Sequence, residues 1–144
     1  MIYTCLHTQE YAAGPYRLIP LRRDDIYPIM EWRNAQLDIL RQNRPLTRKD
    51  QEEYYRTTIL PSFRETHPAQ ILFSILLDGR CIGYGGLVHI DWKAKEGEMS
   101  FLTDPSRPEG SAMFLADLDA FLKMIKYVAF NDLQFNSIVT ETYD

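Results

Sequence analysis

The sequence predicts a single α+β domain, in which a mixed, largely antiparallel sheet carries helices on both faces to give three α/β/α layers. Three observations support this fold class. The chain has 144 residues, 45% of them hydrophobic, which suffices for one buried core. An Asp-Gly pair separates two strand-like segments, and the last third alternates between strand, apolar helix and strand. The predicted order is β-α-α-β-β-β-α-β.

The first half of the chain is predicted to form an edge strand and two helices. Residues 16–21 alternate weakly in polarity, and Pro20 indicates an edge position because proline cannot donate to a sheet. Apolar residues then recur at helical spacing over 26–37, directly after an aspartate that can cap the helix. A Thr-Arg-Lys-Asp capping pattern at 47–50 opens a second helix that reaches about Ile59, just before a proline that ends or kinks it.

The middle of the chain is predicted to be a three-stranded antiparallel meander. Residues 69–77 are rich in branched and aromatic side chains, and the Asp-Gly pair at 78–79 favours a tight hairpin to a strand over 80–91. A third strand follows at 96–102. The second strand contains three glycines that indicate close approach of another backbone or of a ligand: Gly83, Gly85 and Gly86.

The last third is predicted to be a long helix followed by a strand. The helix covers about 111–130 and is apolar on nearly every side, which is typical of a helix enclosed by other elements. An Asn-Asp pair at 131–132 ends the helix, and residues 133–142 form the closing strand.

Composition and charge argue against several classes of protein. Sixteen basic and twenty acidic residues give a net charge of −4, so we expect no nucleic-acid partner. The two cysteines and three histidines are scattered, so we expect no metal site and a reduced, cytoplasmic protein. No apolar run approaches the roughly 20 residues that span a bilayer, so we expect no membrane segment.

The loop before the long helix could hold an anionic ligand. Arg107, Gly110 and Ala112 match the spacing Arg/Gln-x-x-Gly-x-Gly/Ala between a predicted strand and a predicted helix. Small residues let the backbone approach a ligand, and the free N–H groups of a first helical turn can bind a pyrophosphate. The spacing by itself is common, and the alternative is an ordinary strand–helix loop.

With this order of elements, the sequence resembles the GNAT superfamily of acyl-CoA-dependent N-acyltransferases over about residues 16–143. The resemblance is carried by this loop and by residues 26–34 (IYPIMEWRN), 79–87 (GRCIGYGGL) and 98–105. The Trp-Arg-Asn that ends the first helix resembles the sequence of the branch that acetylates amino-sugar nucleotides or the N-termini of ribosomal proteins. The resemblance implies transfer of an acetyl group from acetyl-CoA to a primary amine of a small molecule or peptide, without a covalent enzyme intermediate or a metal.

The same resemblance implies where acetyl-CoA would bind. Its pantetheine arm would lie between the strand of Glu98 and the last strand, against backbone groups that also polarise the thioester carbonyl, those of Met99, Phe101 and Thr103. Its pyrophosphate would contact the N–H groups of the loop, including those of Arg107, Gly110, Ser111 and Ala112.

The resemblance also implies a catalytic base and acceptor contacts. The amine must lose a proton, and Glu98 stands where many family members carry the carboxylate that accepts it. Glu96 lies on the same face of the strand because side chains alternate with a period of two, but we prefer Glu98. Arg33 and Asn34 at the end of the first helix could contact the acceptor, although local capping is an equally common role for such residues.

Two features depart from the family pattern. Pro108 removes one N–H donor from the loop, and Glu109 places a negative charge beside the expected phosphate site. Family members also continue past the strand at 133–142 into another helix and two strands. We therefore expect the single domain over 1–144 to lack that portion, or to complete its sheet with a second chain as a homodimer. These departures favour an alternative function, a non-catalytic module that binds acyl-CoA or a protein.

Overall fold

One six-stranded sheet organises the protein, whose computed structural model describes residues 2–36 and 44–140. The strands lie side by side in chain order: β1 (Tyr11–Ala13), β2 (Tyr16–Pro20), β3 (Ile71–Leu77), β4 (Arg80–Asp91), β5 (Glu96–Thr103) and β6 (Ser137–Val139). Neighbouring strands are antiparallel except β5 and β6, which are parallel. The predicted mixed, largely antiparallel sheet is confirmed.

The helices lie on both faces of the sheet. They are α1 (Ile26–Asn34), α2 (Arg48–Tyr54), the short α3 (Leu60–Ser62) and α4 (Ala112–Lys126), with π-helical turns after α2 (Tyr55–Ile59) and after α4 (Tyr127–Asp132). Tyr84 of β4 accepts a hydrogen bond from Arg33 of α1, whereas the next residue, Gly85, lies against Phe121 of α4. Because neighbouring residues of a strand face opposite sides, α1 and α4 occupy opposite faces, as the three-layer prediction requires.

The sheet has one more strand at its edge than the sequence predicted. β1 pairs with β2 across a two-residue turn, Gly14-Pro15, in which Gly14 has the left-handed φ of +58° that favours glycine. A Gly-Pro pair is a recognised turn signal, so the sequence contained a clue to this hairpin. Since β1 pairs with β2 over Tyr16–Leu18, β2 is not the edge strand that Pro20 suggested, although Pro20 itself lies beyond this pairing.

The two predicted helix caps have different outcomes. The Asp25 side chain does not cap α1. Its carboxylate instead accepts hydrogen bonds from Arg22 at 2.7 Å and from the Ser74 hydroxyl at 2.6 Å, which ties the start of the helix to β3. The capping box of α2 is confirmed, because the Asp50 N–H donates to Thr47 Oγ1 at 3.1 Å and the Thr47 N–H donates to Asp50 Oδ2 at 2.9 Å.

The predicted enclosure of the long helix is wrong for its outer side. Phe121 and Ile125 of α4 are fully buried against the sheet, but Leu115 of the same helix is 56% exposed. The sheet covers only one side of the helix, so an apolar composition did not require burial all round. Within the described parts of the chain, no helix is long and apolar enough to cross a membrane.

The ends of two predicted elements lie outside the described residues. α1 ends at Asn34, and residue 37 of its predicted span is not described. β6 covers only Ser137–Val139 of the predicted 133–142, and residues 141 and 142 are likewise not described.

Replacing Gly85 by alanine should lower the free energy of unfolding by about 3 kcal/mol, a cost typical of an overpacked interior. A Cβ at this position would lie 2.3 Å from the main-chain oxygen of Ser100 and 3.1 Å from the Phe121 ring. Urea denaturation measures the loss. Gly14→Ala is the control, because a Cβ there meets nothing within 4 Å and should cost only about 1 kcal/mol for its left-handed φ. Equal losses for the two variants would show that α4 does not pack tightly on β4.

Candidate active site

The second half of β5 has main-chain groups that point away from β4. Among the described residues, β6 pairs with β5 only over Glu96–Glu98. The carbonyl groups of Ser100 and Leu102 point toward the glycines of β4. Since main-chain groups of successive residues face opposite edges of an antiparallel pair, the remaining residues of this stretch face the open edge: Met99, Phe101 and Thr103. These are the three residues that the resemblance assigned to the pantetheine arm.

Glu98 lies where this open edge begins. It is the last residue of β5 that pairs with β6, opposite Val139, and its side chain is 16% exposed. Glu98 Oε2 forms a hydrogen bond with Nδ1 of His89. The carboxylate of Glu96 lies further from the open edge and accepts a hydrogen bond from the Ser137 hydroxyl of β6 at 3.3 Å. The two candidate bases therefore have different surroundings.

A cavity of about 550 Å³ opens on the face of the sheet that carries α1 and α2. Its lining includes both hydrogen-bonding and apolar side chains, and the hydrogen-bonding ones are those of Arg33, Asp50, Gln51, Tyr54, Gln70, Tyr84, His89 and Ser100. His89 contacts Glu98, and Ser100 is two residues beyond Glu98 on the same strand face. The cavity and the Glu98 carboxylate are therefore neighbours. A wider depression of about 780 Å³ lies beside the start of α1 and α2, and Ile26 is the one described residue that lines both.

Arg33 and Tyr84 form a pair in the wall of this cavity. Arg33 Nη1 donates a hydrogen bond to the Tyr84 hydroxyl at 2.7 Å. Burial raises the pKa of the Tyr84 phenol, and the neighbouring guanidinium opposes that shift. The phenol therefore stays protonated at neutral pH and can donate a hydrogen bond to a molecule in the cavity. The structure thus brings Arg33, a predicted acceptor contact, together with a tyrosine that the sequence interpretation did not select.

Asn34, the other predicted acceptor contact, holds the wall of the cavity. Its Nδ2 donates to the Leu46 carbonyl at 2.9 Å, and the Leu46 N–H donates to its Oδ1 at 2.7 Å. Leu46 lines the cavity directly before α2. Asn34 therefore fixes the start of α2 against the end of α1.

The loop between β5 and α4 uses several of its own N–H groups. The Arg107 N–H donates to Asp104 at 2.9 Å, and the Ser111 N–H donates to Pro108 at 3.0 Å. Ser111 also caps α4 through its hydroxyl. The N–H of Ala112, in the first turn of α4, has no acceptor within the helix. Of the predicted phosphate contacts, Arg107 and Ser111 thus shape the loop, while Ala112 offers a donor at its surface.

A buried carboxylate anchors this loop to the rest of the fold. The Arg107 side chain turns inward, where its Nε and Nη2 donate to the two oxygens of Asp117 at 2.5 and 2.9 Å. The Tyr16 hydroxyl of β2 donates to the same carboxylate at 2.7 Å. Asp117 is fully buried and Arg107 is 17% exposed. In the sequence, Asp117 is only one of four polar residues in an apolar helix, so nothing local indicated this role.

The sequence also gave no sign that His89 would contact Glu98. An isolated histidine in a strand is more often structural than catalytic, and no neighbouring residue marks His89 as an exception. Nothing in the described residues brings three or more histidine, cysteine or acidic side chains together as a metal site would need.

Comparison with known proteins identifies the family. A profile of the acetyltransferase (GNAT) domain matches residues 18–144. This chain belongs to the GNAT acetyltransferase family. The match confirms the predicted resemblance and the enzyme class, an acetyl-CoA-dependent N-acetyltransferase. No curated protein matches the sequence significantly.

Solved structures share the GNAT fold at low sequence identity. A chimera of spermidine N-acetyltransferase SpeG from Vibrio cholerae and hSSAT has a TM-score of 0.70 and 18% identity, over 88% of this chain and 70% of that one. Spermidine N-acetyltransferase from Vibrio cholerae, solved with CoA and spermine, has a TM-score of 0.68 and 18% identity, over 89% and 71% of the two chains. A probable acetyltransferase has a TM-score of 0.59 and 22% identity, over 89% and 70%. At these identities the likeness concerns the fold.

Replacing Asp117 by alanine should lower the free energy of unfolding by about 3–5 kcal/mol, because it leaves the inward-turned Arg107 without its anion. Urea denaturation measures this loss. Asp119→Ala is the matched control on the same helix, since Asp119 is 68% exposed and its ion pair with Lys123, at 3.0 Å, is also exposed. The control should change stability by less than about 1 kcal/mol. A similar, small effect of both variants would contradict the anchoring role of Asp117.

Proposed function

We propose that this GNAT domain transfers an acetyl group from acetyl-CoA to a primary amine bound in the cavity between α1, α2 and the sheet, with Glu98 as general base. The observation that supports this proposal most directly is the position of Glu98. Its carboxylate lies between the open edge of β5, where a thioester can be held by main-chain groups, and the cavity, where an amine can enter.

The open edge of β5 suits an extended arm that carries amide groups. The outward N–H and C=O groups of three residues can pair with such an arm as an added strand would: Met99, Phe101 and Thr103. An N–H directed at the thioester carbonyl stabilises the negative charge that develops on its oxygen. We propose that the pyrophosphate is held by the N–H groups of Gly110 and Ala112, with Arg107 and Ser111 maintaining the shape of the loop.

The reaction needs the acceptor amine in its neutral form. Glu98 takes the proton from the amine, directly or through a water molecule, as the nitrogen attacks the carbonyl carbon. The C–N bond forms, the C–S bond breaks, and CoA leaves as the thiolate. Neither cysteine has a role in this scheme, and burial raises the pKa of both thiols to about 11, which makes them poor nucleophiles at neutral pH.

Apart from the neighbouring Glu98, the side chains that line the cavity favour an acceptor with hydrogen-bonding groups over a polycation. Asp50 is the one carboxylate among the described residues that line the cavity, and it already binds Arg44 at 2.8 Å and the N–H of Thr47. Arg33 contributes a positive charge to the lining. We infer that the acceptor carries hydrogen-bonding or anionic groups beside its amine, as an amino sugar or a peptide does. We therefore do not propose spermidine, the substrate named for structural neighbours, as the acceptor of this protein.

A second function, acyl-CoA binding without acetyl transfer, is favoured by the composition of the loop between β5 and α4. Pro108 has no N–H, and two further N–H groups of the loop are used internally. Binding of acetyl-CoA with no acetylation of any amine would support this alternative.

Acetyl-CoA should stabilise the protein against thermal unfolding. At about 100 times its dissociation constant, the ligand should add roughly 2.7 kcal/mol to the free energy of unfolding, which appears as a rise in Tm in a thermal-shift titration. Ala112→Asp should abolish this rise, because it places a carboxylate at the proposed phosphate site. Ala116→Asp, one turn further along α4 and also exposed, is the control that should retain it. No rise for the wild type at millimolar acetyl-CoA would contradict both proposed functions.

Glu98→Gln should lower kcat/KM by about 10²–10⁴-fold, the usual contribution of a general base. Release of free CoA measures the rate with a panel of amines: an amino-sugar nucleotide, a peptide with a free N-terminus, and spermidine. Glu96→Gln is the matched control on the same strand face and should retain the wild-type rate. A larger loss in the Glu96 variant would assign the base to Glu96 instead. The highest rate with spermidine would contradict the inferred acceptor class.

A further inference from the structure

The contact between His89 and Glu98 has a consequence for proton transfer. We propose that His89 positions the Glu98 carboxylate and carries the proton that Glu98 takes from the amine onward to solvent. This proposal rests on the proposed function, because it assigns a further role in the same reaction. It depends on three features of the structure: a bulge in β4, a difference in exposure between the two side chains, and the charges around them.

A bulge in β4 brings the histidine to the carboxylate. The register between β4 and β5 shifts from Val88↔Glu98 to Asp91↔Glu96, so two residues of β4, His89 and Ile90, lie opposite one residue of β5. In a regular pair, residue 89 would lie opposite Gly97, and its side chain would point to the other face from Glu98. The extra residue therefore makes the contact between His89 and Glu98 available.

The bulge places His89 in a backbone conformation that residues other than glycine rarely adopt. Its φ is +48°, in the left-handed region. Keeping such a residue there costs about 1–3 kcal/mol, and residues of this kind cluster at functional sites. A glycine would satisfy the bulge at lower cost, so the histidine side chain supplies something that the backbone alone does not need.

The two side chains differ in exposure, and this difference sets the direction of proton transfer. Glu98 is 16% exposed, whereas His89 is 80% exposed. The carboxylate therefore faces the enclosed reaction site, and the imidazole connects it with bulk water. Proton exchange between a largely buried acid and solvent needs such an intermediate group when the reacting molecules cover the acid.

The proton balance of the step is complete. In the resting pair the Nδ1–H of neutral His89 donates to the Glu98 carboxylate. Once Glu98 has accepted the proton of the amine, His89 exchanges through water to its Nε2–H tautomer, which leaves Nδ1 able to accept. The carboxylic acid then donates its proton to Nδ1, and the imidazolium releases its Nε2 proton to water. Glu98 returns to the carboxylate, and His89 returns to the neutral Nδ1–H tautomer. No oxidant, reductant or metal enters this step.

Other charged and titratable groups near the pair come from each surrounding element. In the part of the chain that the structure describes, they include Arg33 on α1, Asp50 and Tyr54 on α2, Tyr84 on β4 and Glu96 on β5. Arg33 is bound to the Tyr84 hydroxyl, and Asp50 to Arg44. Glu96 accepts a hydrogen bond from the Ser137 hydroxyl, and Tyr54 accepts one from Gln70. Each of these groups has a partner other than His89, and His89 is the imidazole that forms a hydrogen bond with Glu98.

The pairing is tested by ¹⁵N NMR of the unliganded protein, without any need for activity. In the neutral wild type, His89 should hold its proton on Nδ1 and donate it to Glu98, whereas Glu98→Ala should shift it toward the ordinary mixture of tautomers. His7, an exposed histidine far along the chain from the site, serves as the internal reference. An identical tautomer balance of His89 in the two proteins would overturn the proposal.

The relay is tested by kinetics with the best amine of the panel. His89→Gln keeps a hydrogen-bond donor but cannot carry a proton, so kcat in dilute buffer should fall about 10-fold or more, within the usual contribution of a proton-transfer group. Added imidazole should restore most of this loss in the variant, without a comparable effect on wild type or on the control His7→Gln. An unchanged kcat, or a loss that imidazole does not rescue, would overturn the relay.

Failure of the relay and failure of the proposed function give different results. A wild type that acetylates no amine contradicts the proposed function and removes the relay with it. A wild type that acetylates an amine, with an unaltered or unrescued His89→Gln variant, contradicts the relay alone.

Discussion

The site depends on the point at which β5 and β6 stop pairing. Parallel strands satisfy each other's main-chain groups only where they lie side by side, here from Glu96 to Glu98. Beyond Glu98, the described part of β6 offers no partner to the outward N–H and C=O groups of β5, and main-chain groups inside a protein are almost always hydrogen-bonded. Pairing that continued to Thr103 would complete the sheet and remove the edge. The same point fixes the backbone of Glu98, whose side chain contacts His89 in the cavity lining.

A second constraint fixes α4 and the loop before it relative to the open edge of β5. α4 packs on β4 at Gly85, and the loop that precedes α4 is tied to Asp117 of the same helix by Arg107. A buried carboxylate is costly unless it is well paired, and Asp117 receives hydrogen bonds from Arg107 and from Tyr16. Asp117 therefore joins the loop before α4, the helix and β2. A ligand that spans the open edge and the loop meets a preformed surface.

Local sequence patterns predicted those parts of the fold that depend on neighbours in the chain. The Asp-Gly pair gave the hairpin between β3 and β4, and Thr47 and Asp50 gave the capping box of α2. The face of β5 that carries Glu98 followed from the two-residue period of a strand. Predictions failed where a distant element intervened. Asp25 accepts a hydrogen bond from Ser74 of β3 instead of capping α1, and Leu115 on the outer side of α4 is 56% exposed.

The sequence by itself determined the order of the main elements from β2 onward, the family, the strand of Glu98 and the loop before α4, because periodicity, turn residues and short motifs are properties of neighbouring residues. Only the tertiary structure decided which side chains meet across the site. Arg33 reaches Tyr84 and Arg107 reaches Asp117, while a one-residue bulge turns His89 onto Glu98. These contacts join residues that are 9 to 51 positions apart, and they depend on strand register and helix packing, which no local pattern encodes.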